Sequence, residues 1–420
     1  PPPGLQRCGG TAGAGSYPAY DQLLRGRICR GPAGEPGQAT GYWASGAQLL
    51  ECADSRWCPA GSAGACILSR KGVGCAKCED GYSPGGQDGQ CLRCSRSTAV
   101  GSAISTVIFV AIASLGLVMY SKWSIVQISV SNPASTAGWL CASISWMALQ
   151  LLLTIASFDI DWPWPIRDMG LLAAALETLQ FLELHCLQNQ DSPTANYAAS
   201  VGLMAAVVVG ILVAGQVLRR LGRLEGSLAA VEGNAAGTVL FLCYLYITRL
   251  CLLPFACTEH PSGHATVARS PAVACWVSSE HTTLVVLSIL ALALAVLPFV
   301  AVCARATLQY AGEMAKGNSD FCFPFRFLFW RWTLKRYYYG LLLLFRQLAL
   351  SVVPSAAEIW GWPALAQLVL MGFILALWAE FVMKHSPWRS GVANVADISV
   401  TQAFLALIVV AAGLMKVEEG

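Results

Sequence analysis

Residues 101–120 read GSAISTVIFVAIASLGLVMY, twenty residues without a charge. As an α-helix they cover about 30 Å, the thickness of a bilayer's hydrocarbon core. A helix on a soluble core is apolar on one face only, and this one is apolar all round, so lipid is the solvent that suits it. The same window finds further spans near 138–158, 198–218, 237–256, 282–303, 337–353, 363–382 and 400–415. The expected fold is mainly α: a polytopic transmembrane helix bundle of about eight spans over residues 98–420. The span at 337–353 is short and interrupted by Arg346, which makes it the weakest of the set.

Composition agrees. Of 420 residues, 55% are hydrophobic and 12% charged, against about 25% charged in soluble domains. Mean hydropathy is +0.55. These values exclude a soluble enzyme. The net charge of +3, with no basic patch presenting stacking aromatics, excludes nucleic acid as a partner. No nucleophile elbow, zinc-protease helix or phosphate loop occurs, so no catalytic residue, metal or cofactor is expected.

Residues 1–97 differ in kind. They are rich in Gly, Pro, Ser and Cys and hold nine of the 17 cysteines. So small an apolar content cannot build a large core, and such domains rely on covalent staples. The densest part is C-x8-C-x2-C-x12-C-x2-C over Cys66, Cys75, Cys78, Cys91 and Cys94, with Cys52 and Cys58 upstream. Two CxxC pairs could hold zinc tetrahedrally. A disulfide framework is the preferred reading, because the loop charges place this domain where thiols oxidise. Connectivity is not readable from spacing. A disulfide between Cys257 and Cys275 competes evenly with two unpaired thiols. Cys141, Cys186, Cys243, Cys251, Cys303 and Cys322 read as small apolar fillers.

Loop charges set the orientation. Arg219, Arg220 and Arg223 follow the third span. Arg305, Lys316, Arg326, Arg331, Lys335 and Arg336 follow the fifth, and Lys384 and Arg389 the seventh. Alternate loops are nearly empty of cations. The first set is therefore expected inside and the N-terminal domain outside, in the plasma membrane or a secretory-pathway membrane. The chain opens on Pro1 and is read as processed or partial. Eight spans leave Gly420 outside, which points to a further span beyond it. No Asn has Ser or Thr two residues on, so no glycosylation acceptor is present.

Between the second and third spans, Leu171–Leu187 is apolar with Glu177, Glu183 and His185 inserted, after a Trp-Pro-Trp-Pro turn at 162–165. It reads as an interfacial amphipathic helix, with a re-entrant segment as the alternative. Asp320–Tyr339 mixes aromatics with cations and reads as a membrane-surface segment, with a lipid-headgroup site as an added possibility.

Charges inside spans mark function by default. Three are found: Arg249, Arg346 and Glu380. Arg346 lies roughly 14 Å into its helix at 1.5 Å per residue, and Glu380 lies near the inner end of the next span. A structural ion pair between them is the preferred reading, with a gate or ion-path element as the sharper alternative.

Two resemblances follow from these residues. The Cys66–Cys94 framework resembles the ephrin-receptor-like, EGF-like cysteine-rich repeats of protist surface proteins, here spanning 52–94. The membrane part resembles the TRP-like membrane proteins, the group of the fungal flavin-carrier and polycystin-related proteins. The stretches that carry this are 158–188, RWTLKRYYYGLLLLFRQLAL at 331–350, and HSPWRSGVANVADISVTQAFLAL at 385–407, where Pro387-Trp388 and Asn394 occupy the place of a family motif. The resemblance implies an ion channel or transporter-type protein with a sensing or tethering outer domain. The alternative is a receptor or adhesion protein that does not conduct. The bilayer is the expected partner, with ions and an extracellular protein or glycan ligand implied by the resemblance and the outer domain. The oligomeric state stays open.

Overall fold

A computed structural model describes residues 28–30, 36–45, 48–52, 55–84, 91–126, 133–156, 192–224, 226–260, 265–268 and 270–414. Leu171–Leu187, with Cys186, and the Trp-Pro turn before it lie outside the described residues, as does Cys8. The chain divides into two compact units.

The first unit holds residues up to 105, 180–199 and 253–287. Its strands are two to five residues long, as Gly-rich, disulfide-bounded chain dictates. β1 (Ile28–Arg30), β2 (Pro36–Gln38) and β5 (Gly61–Ser62) form one sheet. β3 (Tyr42–Ser45) and β4 (Gln48–Glu51) form a hairpin with Trp43 opposite Leu50. Three bridges hold it: Cys52–Cys58, Cys66–Cys75 and Cys78–Cys91. Cys94 is disulfide-bonded too. The bridges Cys52–Cys58, Cys66–Cys75 and Cys78–Cys91 link neighbours in sequence, so each of these closes a short loop.

The core of this part is small: Trp43, Leu50, Cys52, Cys58 and Cys75. Polar side chains extend it. Gln38 is fully buried, its amide donating to Pro59 O at 3.1 Å and Ala65 O at 2.5 Å and accepting from Gly64 N at 3.1 Å. Buried Arg70 donates to Cys75 O at 3.0 Å and stacks 3.5 Å from the Trp57 ring centroid. Hydrogen bonds here do the fixing that aliphatic packing does in larger domains.

The second unit is helical. The helices, of which α1, α3 and α6 begin in the first unit, are α1 (Arg96–Val126), α2 (Pro133–Ala156), α3 (Pro193–Arg220), α4 (Leu228–Leu242), α5 (Tyr244–Leu252), α6 (Ser279–Ala315), α7 (Arg326–Phe329), α8 (Tyr339–Trp360), α9 (Ala364–His385) and α10 (Gly391–Leu414). Among the described residues, seven are long and apolar enough to cross a membrane, and α4 with α5 forms an eighth crossing if the bent pair is one span. The chain is a multi-pass integral membrane protein built as a helix bundle with a disulfide-rich N-terminal region.

The structure moves several limits. α10 begins at Gly391, nine residues before the expected 400, and α6 runs from 279 to 315 instead of 282 to 303. The doubtful span becomes α8, continuous through Arg346 and through Pro354. It is also the most central: half of its apolar window is buried, against 17% for α1. Its neighbours shield Arg346, which is why a charge does not break it. α6 contains one π-helical stretch, Leu292–Val296.

The expected single span at 237–256 is two helices bent by 60°. No proline sits at the break. Gln150 of α2 inserts instead. Its Nε2 donates to Leu242 O at 2.7 Å and its Oε1 accepts from Tyr246 N at 3.2 Å. Those two backbone groups would bond each other in a straight helix, so one amide occupies a rung of the ladder and opens the axis. The packing of α4 rests on a second amide. Asn234 donates to Ser121 Oγ at 2.9 Å and accepts from Phe327 N at 2.8 Å, tying α1, α4 and α7 together.

Asp320–Tyr339 is not a surface segment throughout. Phe327, Leu328, Phe329 and Trp332 are buried in the main core cluster. Phe327 sits on Gly237, and Trp332 meets Trp388 at 4.4 Å between ring centroids. Thr333 N donates to Pro387 O at 2.9 Å and Arg389 N to Arg331 O at 3.0 Å, joining this segment to the α9–α10 turn.

Candidate functional site

α8, α9 and α10 bring a buried polar cluster together. Asp397, 5% exposed, lies in the second turn of α10. Its Oδ2 accepts from Trp388 Nε1 at 2.9 Å and from Trp378 Nε1 at 3.3 Å. The Trp378 ring also carries the Arg346 guanidinium, at 4.9 Å from its centroid. Asp397 is the carboxylate whose charge bears on Arg346. The turn after α9 holds Trp388 in place: Asn394 Oδ1 accepts from Trp388 N at 3.1 Å, and its Nδ2 donates to Trp388 O at 3.0 Å and Ser390 O at 3.1 Å.

Arg346, Gln347, Trp388 and Asp397 line a cavity of about 30 Å³, whose other walls are apolar side chains of α2, α5, α8 and α10. That is room for a water or two, at ~10–15 Å³ each. Arg346 Nε and Gln347 Oε1 are buried without hydrogen-bond partners among the described residues. A donor and an acceptor thus flank a water-sized space, and buried groups of this kind normally have a partner.

The expected pairing of Arg346 with Glu380 is not what forms. Glu380 is exposed on α9, while the turn of α10 carries Asp397 to Trp378. Depth along the sequence does not say which helix faces meet. The expected span at 400–415 leaves Asp397 outside, whereas the helix begins at Gly391 and carries it. The visible signal was an acid six residues after Gly391 in an otherwise apolar stretch. Arg249 lies in the last turn of α5, away from this cavity's lining.

In the first unit the Cys257–Cys275 disulfide forms. β10 (Cys257–Glu259), β11 (Ala265–Val267) and β12 (Ser270–Ala274) carry it as an antiparallel sheet. His281 lies beside it, the two Sγ atoms and the imidazole falling within 4.8 Å of one another. This is a structural clamp. The sulfurs are bonded together, Nδ1 accepts from Trp276 N at 3.1 Å, and Nε2 donates to Pro254 O at 3.0 Å. Between the bridge cysteines Cys75 and Cys78 lies Lys77, whose Nζ donates to both carboxylate oxygens of Glu280 at 3.1 Å. Glu280 stands in the first turn of α6. Cys141, Cys243, Cys251, Cys303 and Cys322 are free thiols.

No family model, curated protein or solved structure matches this chain.

Proposed function

We propose that this integral membrane protein is a TRP-like ion channel or transporter-type protein, not an enzyme. In this reading the cysteine-rich region is an extracellular sensing or tethering domain, and the cation-rich loops lie in the cytoplasm. The observation that carries it is the Arg346–Asp397 cluster. Two opposite charges that meet through one indole, with a second indole and an amide beside a small cavity, are costly inside a bilayer and by default mark a working site. The Lys77–Glu280 contact supports the sensing role, because it ties the disulfide framework to the first turn of α6.

The second reading is a cell-surface receptor or adhesion protein that does not conduct. The small size of the cavity favours it, since about 30 Å³ holds water and not a hydrated ion's path. Purified chain in liposomes, assayed for ion flux under stretch, voltage or calcium, separates the two. Flux that Asp397→Asn abolishes supports the first. No flux under any of the three stimuli overturns it in favour of the receptor.

A further inference from the structure

A second cavity, of about 210 Å³, lies between α1, α2, α3 and the α4–α5 bend. Its long wall is the α1 stripe Phe109, Ala113 and Leu117, which runs for about 12 Å at 1.5 Å per residue. That stripe falls in the middle of the apolar window Val100–Trp123, so the cavity lies at the depth of the bilayer's hydrocarbon.

The lining is almost wholly carbon. Gln150 is its most polar member, and both ends of that amide are committed to Leu242 O and Tyr246 N. Water entering would find no partners, and an apolar chamber of this kind stays dry. The space exceeds the ~150 Å³ of an apolar cavity that takes up benzene. Left empty, its walls forfeit the dispersion contacts of a packed interior.

The walls are fixed by hydrogen bonds on either side of Leu117. Ser114, next to Ala113, donates from Oγ to Val207 O at 3.2 Å and pins α1 to α3. Ser121 donates from Oγ to Val231 O at 2.8 Å and pins α1 to α4. With these anchors made, the space is part of the fold. It also has a way in. Trp139, Ala142 and Trp146 recur at three- and four-residue spacing on α2 and are all exposed, which makes them the lipid-facing stripe of that helix. Trp146 belongs to this stripe and to the cavity wall, and is 45% exposed. The phase at the mouth is therefore hydrocarbon. A rigid ligand of drug size needs about 300–1,000 Å³, whereas a flexible chain can occupy this slot with its headgroup left outside.

We propose that the cavity holds one acyl chain of a bilayer phospholipid. The chain enters beside Trp146 and lies along α1 between Phe109 and Leu117, against the α4–α5 bend.

The test uses the full chain in phosphatidylcholine liposomes doped with a phosphatidylcholine whose acyl chain carries a diazirine. Illumination expels dinitrogen, the carbene inserts into the side chain it touches, and peptide mass spectrometry locates the adduct. Leu203 and Val207 line the cavity and are buried, each 6% exposed, while Val209 on the same helix and Ile112 on α1 are 56% and 67% exposed. Adducts are expected at Leu203 or Val207 as well as at the two outward positions. Ala113→Trp and Val239→Phe fill the cavity from two different helices. Either should lose the inner adducts and keep the outer ones. The parent chain's own adducts test the proposal even if both variants fail to fold. Adducts confined to the outward positions overturn it, as do inner adducts that a folded, filled variant retains. Loss of the inner adducts on adding cholesterol overturns the acyl chain in favour of a sterol.

Discussion

Replacing Asp397 by alanine takes the acceptor from two buried indole N–H groups and the carboxylate from Arg346. An orphaned buried donor costs about 1–3 kcal/mol, and leaving the buried Arg346 guanidinium without the counter-charge that acts on it about 3–5 kcal/mol. The contributions overlap, because Trp378 is shared by both, so the expected loss is about 5 kcal/mol. For a helical unit of this size that is a fall of roughly 10 °C in thermal midpoint, at about 2 °C per kcal/mol. Asp397→Asn keeps an acceptor oxygen and loses only the charge, so it should cost about half as much. The double variant Arg346→Met with Asp397→Leu removes both charges and fills the space. It should lie within about 2 kcal/mol of the parent, since a buried pair replaced by apolar groups is often near neutral. Tryptophan fluorescence on heating in one detergent measures all three. A fall under about 2 °C for Asp397→Ala, or a double variant worse than either single change, refutes the coupling.

Three further outcomes are expected. Gln150→Leu strips Leu242 O and Tyr246 N of their partner, costing about 2–4 kcal/mol on the same scale; an unchanged thermal midpoint would mean that the bend does not depend on this amide. Gly237→Ala places a methyl where the Phe327 ring packs and should cost about 1–3 kcal/mol by overpacking, with Phe327→Leu in the same chain recovering part of it. Cys257→Ala with Cys275→Ala opens a loop of separation 18 and should lower stability by about 3 kcal/mol, read as faster proteolysis of the 257–278 segment.

What could be read in advance followed from local signals. The window at 101–120 carries its own evidence, because an uncharged stretch of that length has one comfortable solvent. The bridges Cys52–Cys58, Cys66–Cys75 and Cys78–Cys91 join sequence neighbours, so the clustering of cysteines announced a framework although not its pairing. The rest depends on contacts between distant residues. The bend after Leu242 is made by Gln150, 92 residues earlier. Nothing near 243 announces it. Asp397 reaches Arg346 through an indole on a third helix, a geometry that helix depth alone cannot supply. Arg331 looked like one more surface cation of an aromatic-rich stretch, and its burial comes from Phe327 and Trp332 folding inward beside it.

We propose a bundle in which the bent α4–α5 pair completes a crossing, with the disulfide-bonded 257–278 loop outside and the 316–338 segment inside. The chain has no native glycosylation acceptor, so two substitutions report on opposite faces without background. Ala268→Asn makes an acceptor with Ser270, and Asp320→Thr makes one of Asn318; both changed positions are exposed. Expressed in a secretory-pathway membrane, the Ala268 variant should gain an endoglycosidase-sensitive mass shift and the Asp320 variant none. The reverse pattern would contradict the account, because it would mean that α4 and α5 turn back within the membrane and invert every span that follows.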